Sequence, residues 1–395
     1  MKRVSILLLL FCFSLDSKSQ IVDSIQSIIN RDTSLVIKEV FSHPELYRLR
    51  IILTEVSTDS KGNKKLTTWH YRDTSKEYFY PASLVKIPLV LSTFQFINEQ
   101  RVFSKDLSDT LIDLSCPVRK RTIHDDLFLM LSVSDNYAFN RLYNLVGSKY
   151  INISLLKKKY LNTYVIHRFE AGSPDYHQTA LPVEVISKNG RVYNHPTDAM
   201  YCLIRHSIAD SLVGIGYMVG DSLVSKPKSF RFHNYVDSRD VHDMMISLKY
   251  PNLTKRKPFN IIDDQRALII KFLQTSPLHP ETKEYSDTSI YHQNFLRFNL
   301  FGQDKKVSYP DVEYFNKSAM AYGFLGDCCY LNDPKNHVEF FLSIGLYVNK
   351  DGVFNDDKYE YDSIGLPFMK RLGELIYNAM KQSTINKQPS TNLPE

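Results

Sequence analysis

A serine and a lysine stand three positions apart at the start of an apolar segment, in Ser83-Leu84-Val85-Lys86. If Ser83 begins a helix, its hydroxyl and the Lys86 amine lie one turn apart on the same face. A serine needs a base to become a nucleophile at neutral pH, and a lysine removed from water has a lowered pKa and can be that base. The alternative interpretation is structural, with Ser83 as a helix N-cap and Lys86 extended to the surface.

The same spacing occurs twice more in the chain, at Ser154 with Lys157 and at Ser225 with Lys228. Only Ser83 follows a Pro-Ala pair and opens a segment, residues 83–97, that is apolar almost throughout. A segment that is hydrophobic on every face predicts a buried central helix. This context favours Ser83 over the other two serines.

Two further polar runs stand at predicted element boundaries. The run Ser134-Asp135-Asn136 directly precedes a predicted helix over residues 137–146, where its first residues can also serve as caps. A later run, Lys-Ser-Ala at 317–319, leads into a strand-like stretch. A lysine and a hydroxyl side by side on a strand can hold a carboxylate, and the next backbone N–H groups can face an oxyanion.

In this order the three runs resemble the S-x-x-K, S-D-N and K-T-G signature of the serine β-lactamase and penicillin-binding protein superfamily, and within it the class A β-lactamases. The sequence Leu-Met-Leu-Ser-Val-Ser-Asp-Asn-Tyr-Ala at 129–138 is especially similar. The resemblance covers roughly residues 21–170 and 300–380. It implies an α+β sandwich of the β-lactamase/transpeptidase type, with an antiparallel sheet from the N- and C-terminal segments and a mainly helical middle domain.

The resemblance also implies the catalytic roles. Ser83 is expected to be the acylated nucleophile, Lys86 its base, and Ser134 the proton shuttle to the leaving nitrogen. The oxyanion hole is expected to consist of the backbone N–H groups of Ser83 and Met320.

Substrate contacts follow from the same resemblance. Asn136 is expected to contact a substrate amide, and Lys317 and Ser318 are expected to bind the substrate carboxylate. Ala319 stands where the family has glycine, so its methyl group is expected close to the bound substrate.

The residue that would activate water for deacylation is less well marked. The sequence His-Arg-Phe-Glu at 167–170 resembles the start of the family's Ω-loop, but the usual E-x-x-L-N continuation is missing. Glu170 is the first candidate for this base, and the alternative makes it an ion-pair partner of Arg168. Asp175 and Glu184 are the next candidates.

The elements that must position these residues are predicted from periodicity and turn residues. Helices are predicted at 21–29, 83–97, 123–131, 137–146, 153–161 and 364–380, and strands at 47–54, 66–71, 312–315, 322–331 and 338–348. The distance in sequence from Asn136 to Lys317 exceeds that of typical class A enzymes, so an insertion around the cleft is expected within about 171–300. The catalytic domain is expected to span 20–380, with a fraying polar tail at 381–395.

The N-terminus predicts export. Lys2 and Arg3 precede an apolar stretch at 4–15, as in a secretory signal peptide over 1–19 with cleavage near Ser19. The stretch is shorter than the ~20 residues that a membrane span needs. Cys12 leaves a lipoprotein as the alternative, although the bulky Phe11 precedes it. A secreted or periplasmic protein without a stable membrane span is expected.

Composition excludes several classes of protein. Of the 395 residues, 43% are hydrophobic and 23% charged, which excludes a disordered chain. The net charge of +6 comes from mixed signs rather than from one basic face, so no nucleic-acid partner is expected.

Cysteine and histidine spacing gives no metal site. The cysteines after the predicted signal are Cys116, Cys202, Cys328 and Cys329, an even number that permits disulfides in an oxidising compartment. The chain has no C-x-x-C or H-E-x-x-H motif, so neither a metal nor an organic cofactor is expected.

Together these patterns predict an exported serine hydrolase that acts on cyclic amides, most simply a β-lactamase. The expected partner is a small-molecule β-lactam or a peptidoglycan peptide. The alternatives are a D,D-peptidase or an esterase on the same fold, or a non-catalytic protein that binds peptidoglycan peptides.

Overall fold

The computed structural model describes residue 27 and residues 29–72, 77–169, 181–195, 211–278, 284–305, 309 and 311–387. The predicted signal peptide, most of the predicted helix at 21–29, Glu170, Asp175 and Cys202 lie outside these residues.

The described part of the chain contains eight α-helices whose two ends are both given, and sixteen strands. The helices are α1 Leu35–Ser42, α2 Lys86–Glu99, α3 Ile123–Ser132, α4 Asn136–Val146, α5 Ser148–Lys157, α6 Ser238–Lys249, α7 Asp263–Gln274 and α8 Leu366–Lys387. The strands are β1 Arg50–Thr58, β2 Lys64–Tyr71, β3 Thr110–Ile112, β4 Lys120–Thr122, β5 Thr163–Tyr164, β6 Val183–Ile186, β7 Val192–His195, β8 Leu212–Val213, β9 Gly216–Val219, β10 Ser222–Val224, β11 Lys228–Ser229, β12 Tyr235–Val236, β13 Glu313–Ala321, β14 Phe324–Asp333, β15 Val338–Tyr347 and β16 Val353–Phe354.

The largest sheet joins the two ends of the chain. Its order is β13-β14-β15-β1-β2, and all neighbours are antiparallel. The junction is the pairing of β1 with β15, in which Ile52 lies opposite Ser343. The α+β class and the shared sheet predicted from the sequence are therefore confirmed.

Helices cover both faces of this sheet, which explains why β14 and β15 are buried along almost their whole length. Alternate residues of a strand point to opposite faces. Leu325 and Leu331 of β14 belong to the apolar cluster that includes α1 and α8, whereas Cys328 and Tyr330 belong to the cluster with the remaining helices. A Cβ at Gly326 would lie 2.9 Å from Leu84 Cδ1, so the missing side chain lets the turn that carries Ser83 pack directly on the sheet.

The helical layer is built around α2. Residues from Lys86 to Ile97 of this helix are buried, as the all-round apolar pattern predicts. Helices α6 and α7 pack against the sheet and against α2 and α3. The sequence did not predict these two helices, and they place part of the 171–300 segment in the core.

Several predicted boundaries were wrong; for example, the strand predicted at 312–315 continues to Ala321. The strand expected from Tyr322 begins at Phe324, because Tyr322 and Gly323 have φ of 56° and 77° and form the turn between β13 and β14. The helix expected at 153–161 is α5, which begins at Ser148 and ends at Lys157. Helix α8 continues to Lys387, into the segment predicted as a polar tail.

Cys116, Cys328 and Cys329 are buried free thiols. No helix in the described ranges is long and apolar enough to cross a membrane.

Candidate active site

Ser83 lies in a short 3-10 turn, Ala82–Val85, that runs directly into α2. Ala82 has a φ of 40°, a left-handed conformation that costs a non-glycine residue about 1–3 kcal/mol and that clusters at functional sites. Leu84 and Val85 are buried and anchor the turn. Ser83, in the same turn, is only half-buried. The S-x-x-K spacing thus places a reachable hydroxyl one turn before a buried lysine.

Lys86 Nζ lies within hydrogen-bond distance of four oxygen atoms. These are Ser83 Oγ at 3.0 Å, Ser134 Oγ at 2.9 Å, Asn136 Oδ1 at 2.8 Å and the Ser134 carbonyl oxygen at 2.5 Å. The Ser134 hydroxyl in turn donates to Ser83 Oγ at 2.9 Å. Ser83, Lys86 and Ser134 therefore form a closed triangle, and a proton that leaves Ser83 can reach the Lys86 amine directly or through Ser134.

Ser134 and Asp135 end the loop between α3 and α4, and Asn136 is the first residue of α4. Asp135 is the N-cap of α4, and its carboxylate accepts from the Ala138 N–H at 2.6 Å and from the Tyr285 hydroxyl. The capping interpretation is thus right for Asp135. Ser134 has a φ of 61°, which turns its side chain toward Ser83 instead of into the helix.

Lys317 on β13 completes the polar group. Its Nζ donates to Ser134 Oγ at 3.0 Å, and the side chain is 1% exposed. Burial lowers the pKa of Lys317 to about 7, and the carboxylate of Asp327 opposes part of that shift. Near pH 7, Lys317 is therefore divided between its charged and its neutral form.

Asp327, on the neighbouring strand β14, is a buried carboxylate behind Lys317. Its Oδ2 accepts from the N–H groups of Asn299 at 2.8 Å and Phe298 at 3.1 Å, and its Oδ1 accepts from Asn316 Nδ2 at 2.8 Å. Burial raises the pKa of Asp327 to about 6, while these hydrogen bonds and the Lys317 charge favour the ionised form. No sequence motif marked Asp327, because its role arises from pairing between strands.

Ser318 and Lys317 line a common polar pocket. Ser318 Oγ is buried without a hydrogen-bond partner among the described residues, so its hydroxyl is left for a ligand. The pocket is also lined by Asn316, Thr275 and Arg297. The Arg297 guanidinium donates to a carbonyl at 2.9 Å and lies over aromatic rings, and burial lowers its pKa. Arg297 is a second cation at this pocket that the sequence did not reveal.

Ala319 and Met320, the other two predicted site residues on β13, are not among the residues that line this pocket. Ala319 is 4% exposed, so little of its methyl group reaches the cleft. Met320 is half-buried next to it on a strand at the edge of the sheet.

The segment before Glu170 is fixed against α4. Asn140 donates to the Phe169 carbonyl at 2.7 Å and accepts from the Phe169 N–H at 2.8 Å, so its side chain clamps the backbone of this residue on both sides. The Phe169 ring centroid lies 5.2 Å from Lys86 Nζ. Glu170 itself lies outside the described residues, as does Asp175; Glu184 is on β6.

The structure separates the three serine–lysine pairs. Ser154 is buried and accepts from Gln95 Nε2 at 3.0 Å, whereas Ser225 is exposed on a loop. Only Ser83 combines partial exposure with a lysine and a second hydroxyl. Within the described ranges, no group of three His, Cys, Asp or Glu residues is arranged to hold a metal ion.

Part of the chain matches a known protein family, and its fold is similar to that of solved structures. The sequence model of the Beta-lactamase enzyme family matches residues 60–205, which include the S-x-x-K and S-D-N runs but not β13. No curated protein matches the chain.

Solved structures of the same fold cover nearly the whole chain. A point mutant of PBP-A, solved as an acyl-enzyme complex with penicillin G, is 14% identical with a TM-score of 0.51, over 91% of this chain and 97% of that one. A β-lactamase from Francisella tularensis is 13% identical with a TM-score of 0.48, over 92% of this chain and 100% of that one. A β-lactamase from Sphaerobacter thermophilus DSM 20745 is 11% identical with a TM-score of 0.47, over 93% and 99%. The predicted β-lactamase/transpeptidase-like fold is therefore confirmed, and so is the resemblance of residues 60–205 to the Beta-lactamase enzyme family.

Proposed function

We propose that this chain, a β-lactamase-like hydrolase by family match and fold, is an exported serine hydrolase that forms an acyl-enzyme at Ser83 and hydrolyses β-lactams. The observation that carries the proposal is the triangle of Ser83, Lys86 and Ser134, with Lys317 in contact with its Ser134 corner. Proton transfer needs a base within hydrogen-bond reach of the group that loses its proton, and Lys86 Nζ is within that reach of both hydroxyl groups.

Acylation follows from these contacts. The neutral Lys86 amine accepts the Ser83 proton, and Ser83 Oγ bonds to the carbonyl carbon of the lactam. The C–N bond then breaks, and the nitrogen takes a proton from the Ser134 hydroxyl, which regains one from Lys86. The backbone N–H groups of Ser83 and Met320 stabilise the oxyanion, and Asn136 contacts the amide of the substrate.

The polar pocket can bind a substrate carboxylate on the side of the leaving group. Lys317 supplies a charged donor, Ser318 an unpaired hydroxyl, and Arg297 a second positive charge. Asp327 balances one of these charges from behind the strand. A pocket with two cations and a free hydroxyl favours an anionic ligand over a neutral one.

Deacylation needs a base that activates water on the acyl-enzyme, and we assign this role to Glu170. The support is positional: its chain neighbour Phe169 lies against Lys86 and is clamped to α4. If the base is elsewhere or absent, the same acylation chemistry gives a penicillin-binding peptidase or esterase.

Intact-mass spectrometry after incubation with benzylpenicillin and with a chromogenic cephalosporin tests the proposal. Rapid turnover of the cephalosporin without a lasting adduct supports the β-lactamase. A persistent adduct on Ser83 supports the peptidase or esterase. Absence of both adduct and turnover contradicts acyl transfer and leaves the non-catalytic binder.

A further inference from the structure

A third buried lysine, Lys228, has no carboxylate partner among the described residues. Lys228 is the first residue of β11 and is 7% exposed. Its Nζ lies 5.3 Å from the ring centroid of Tyr217, 5.9 Å from that of Phe230 and 5.3 Å from that of Tyr322. These four residues are called the Lys228 box.

The box compensates the charge only in part. Among the described residues, no carboxylate and no hydrogen-bond acceptor contacts Lys228 Nζ, and burial is the sole cause that lowers its pKa. Lysine is almost never buried unless it is paired. Cation–π contacts offset only part of the cost of removing an ammonium group from water. An anion placed in the box would supply the missing partner.

One member of the box, Tyr322, lies just beyond the end of β13. Tyr322 follows Met320 by two residues, and its ring centroid lies 5.3 Å from that of Tyr80, three residues before Ser83. Lys317 and Ser318 stand at the other end of the same strand segment. Since a strand advances about 3.3 Å per residue, Ser318 and Met320 are separated by about 7 Å.

The direction of the substrate follows from this order. A substrate with its leaving-group carboxylate at Lys317 and its reactive carbonyl at Ser83 extends its acyl substituent along β13 toward Tyr322. Tyr217 and Tyr322 are both partly exposed, so the box opens at the surface rather than being sealed in the core.

We propose that the Lys228 box is a subsite for a carboxylate on the acyl side of the substrate, so that the preferred substrates carry an anionic group on each side of the scissile amide. The proposal rests on the proposed function, because that function sets the direction in which the substrate lies. The aromatic walls accommodate planar or apolar atoms next to the carboxylate, and Lys228 supplies a charge-assisted hydrogen bond.

Benzylpenicillin and α-carboxybenzylpenicillin form a matched pair of probes, because they differ only by one carboxylate on the acyl substituent. Binding of each to the Ser83→Ala variant by calorimetry requires no acylation, and the second-order rate of adduct formation with the unmodified protein gives a second measurement. A charged hydrogen bond of about 1.5–3 kcal/mol corresponds to a preference for the α-carboxy compound of roughly tenfold or more.

Lys228→Met, made in each background, is expected to reduce this preference to about onefold, and Lys228→Gln provides a second variant if the first does not fold. Lys226→Met removes an exposed lysine two residues away and is expected to keep the preference. Equal affinity for the two penicillins, no binding of either, or a preference that survives in both Lys228 variants overturns the subsite. Failure of adduct formation with intact binding to Ser83→Ala contradicts the proposed function and not the subsite.

Discussion

Lys317 Nζ donates to Ser134 Oγ at 3.0 Å, although 183 positions separate these two residues in the chain. The same Ser134 hydroxyl donates to Ser83 Oγ. Lys317 is therefore only one hydroxyl away from Ser83, so in the proposed mechanism its charge acts on the proton route as well as on a bound carboxylate. Several expected outcomes depend on this connection.

Ser83→Ala is expected to abolish covalent labelling by a fluorescent penicillin while the far-UV circular dichroism spectrum stays unchanged. Removal of the hydroxyl removes the atom that is proposed to form the ester, and the half-buried position tolerates a methyl group. Gel fluorescence and intact mass measure the label. Label that persists in the variant refutes the nucleophile assignment.

The matched control for this experiment is Ser225→Ala. Ser225 belongs to another S-x-x-K run but is exposed on a loop, so its loss is expected to change neither labelling nor stability. Ser154 is a poorer control. The lysine-rich sequence around it suggests a solvated helix, whereas its hydroxyl is buried and bonded to Gln95, so its loss affects stability by itself.

How much of the site the sequence predicts depends on whether a residue acts through local spacing. Ser83 with Lys86, and Ser134 with Asn136, are placed by one turn of helix and by one capped loop, so their roles follow from short runs. Asp327 and Arg297 meet Lys317 only through strand pairing and packing, and no local pattern marks them.

The fold divides in the same way. The N-terminal hairpin has a marked turn between two strand-like runs, and α2 is a long apolar run, so both are predicted. Helices α6 and α7 bury polar residues such as Asp240, His242 and Gln265 among their apolar ones, so the sequence does not mark their buried faces. The turn at Tyr322 was missed because a large aromatic residue rarely takes a positive φ.

Lys317→Ala is expected to reduce kcat/KM for a carboxylate-bearing β-lactam by about 10–100-fold, because a charged hydrogen bond is worth about 1.5–3 kcal/mol. A rise in KM alone indicates a contact made equally in the ground and transition states, and a fall in kcat indicates that the contact strengthens during acylation. Steady-state kinetics with a chromogenic cephalosporin separates the two. If both constants stay within about twofold of the unmodified protein, Lys317 has no part in capture.

The pH dependence of capture is expected to follow Lys317. Its pKa in the free protein is about 7, so the ammonium form is lost as the pH rises through that value. We expect kcat/KM for a carboxylate-bearing substrate to fall above about pH 7, since this constant reports the free enzyme. A bound carboxylate raises the pKa of Lys317, so the corresponding fall in kcat is expected at higher pH. Profiles of both constants between pH 5 and pH 10 measure this, and coincident alkaline limbs would contradict it.

Stability gives an independent check on the same group. Between about pH 7 and the ordinary lysine pKa of 10.5, the unfolded chain keeps a proton that folded Lys317 has lost. The contribution of Lys317 to the free energy of unfolding therefore rises as the pH increases from about 7 to 10.5. Below about pH 7 the folded protein bears the full cost of the buried charge. Urea denaturation measures the free energy of unfolding of the unmodified protein and of Lys317→Met. The difference between the two values is expected to shrink as the pH rises.

Asp327→Asn is expected to move the alkaline limb of kcat/KM to lower pH, because the Asp327 carboxylate raises the pKa of Lys317 against burial. Asn keeps one oxygen that can accept from the Asn299 N–H, so the fold is expected to persist. Asp333→Asn is the matched control at the far end of the same strand, where the carboxylate contacts Tyr377 and Asn336. The control is expected to lower the melting temperature without moving the limb. An unshifted limb in folded Asp327→Asn would show that the carboxylate does not set the charge of Lys317.

The final expected outcome concerns the second half-reaction. If Glu170 activates water on the acyl-enzyme, Glu170→Gln keeps the acylation rate and slows deacylation by about 10²–10⁴-fold, the usual value of general-base assistance. The amide retains the shape of the side chain but cannot accept the proton. Stopped-flow absorbance with a cephalosporin is expected to show a burst of one equivalent followed by a slow phase, and intact mass is expected to show the adduct on Ser83.

Two comparisons make this result specific to Glu170. Glu184→Gln alters the described alternative carboxylate on β6 and is expected to turn over the cephalosporin at the unmodified rate. Asn140→Ala releases the clamp on Phe169 while leaving every acylating group in place, so it is expected to slow deacylation more than acylation. If Glu170→Gln turns over as fast as the unmodified protein, the base lies elsewhere in the cleft. If the unmodified protein itself retains the adduct, the chain acylates without an efficient water-activating base, and its chemistry is that of a penicillin-binding hydrolase rather than of a β-lactamase.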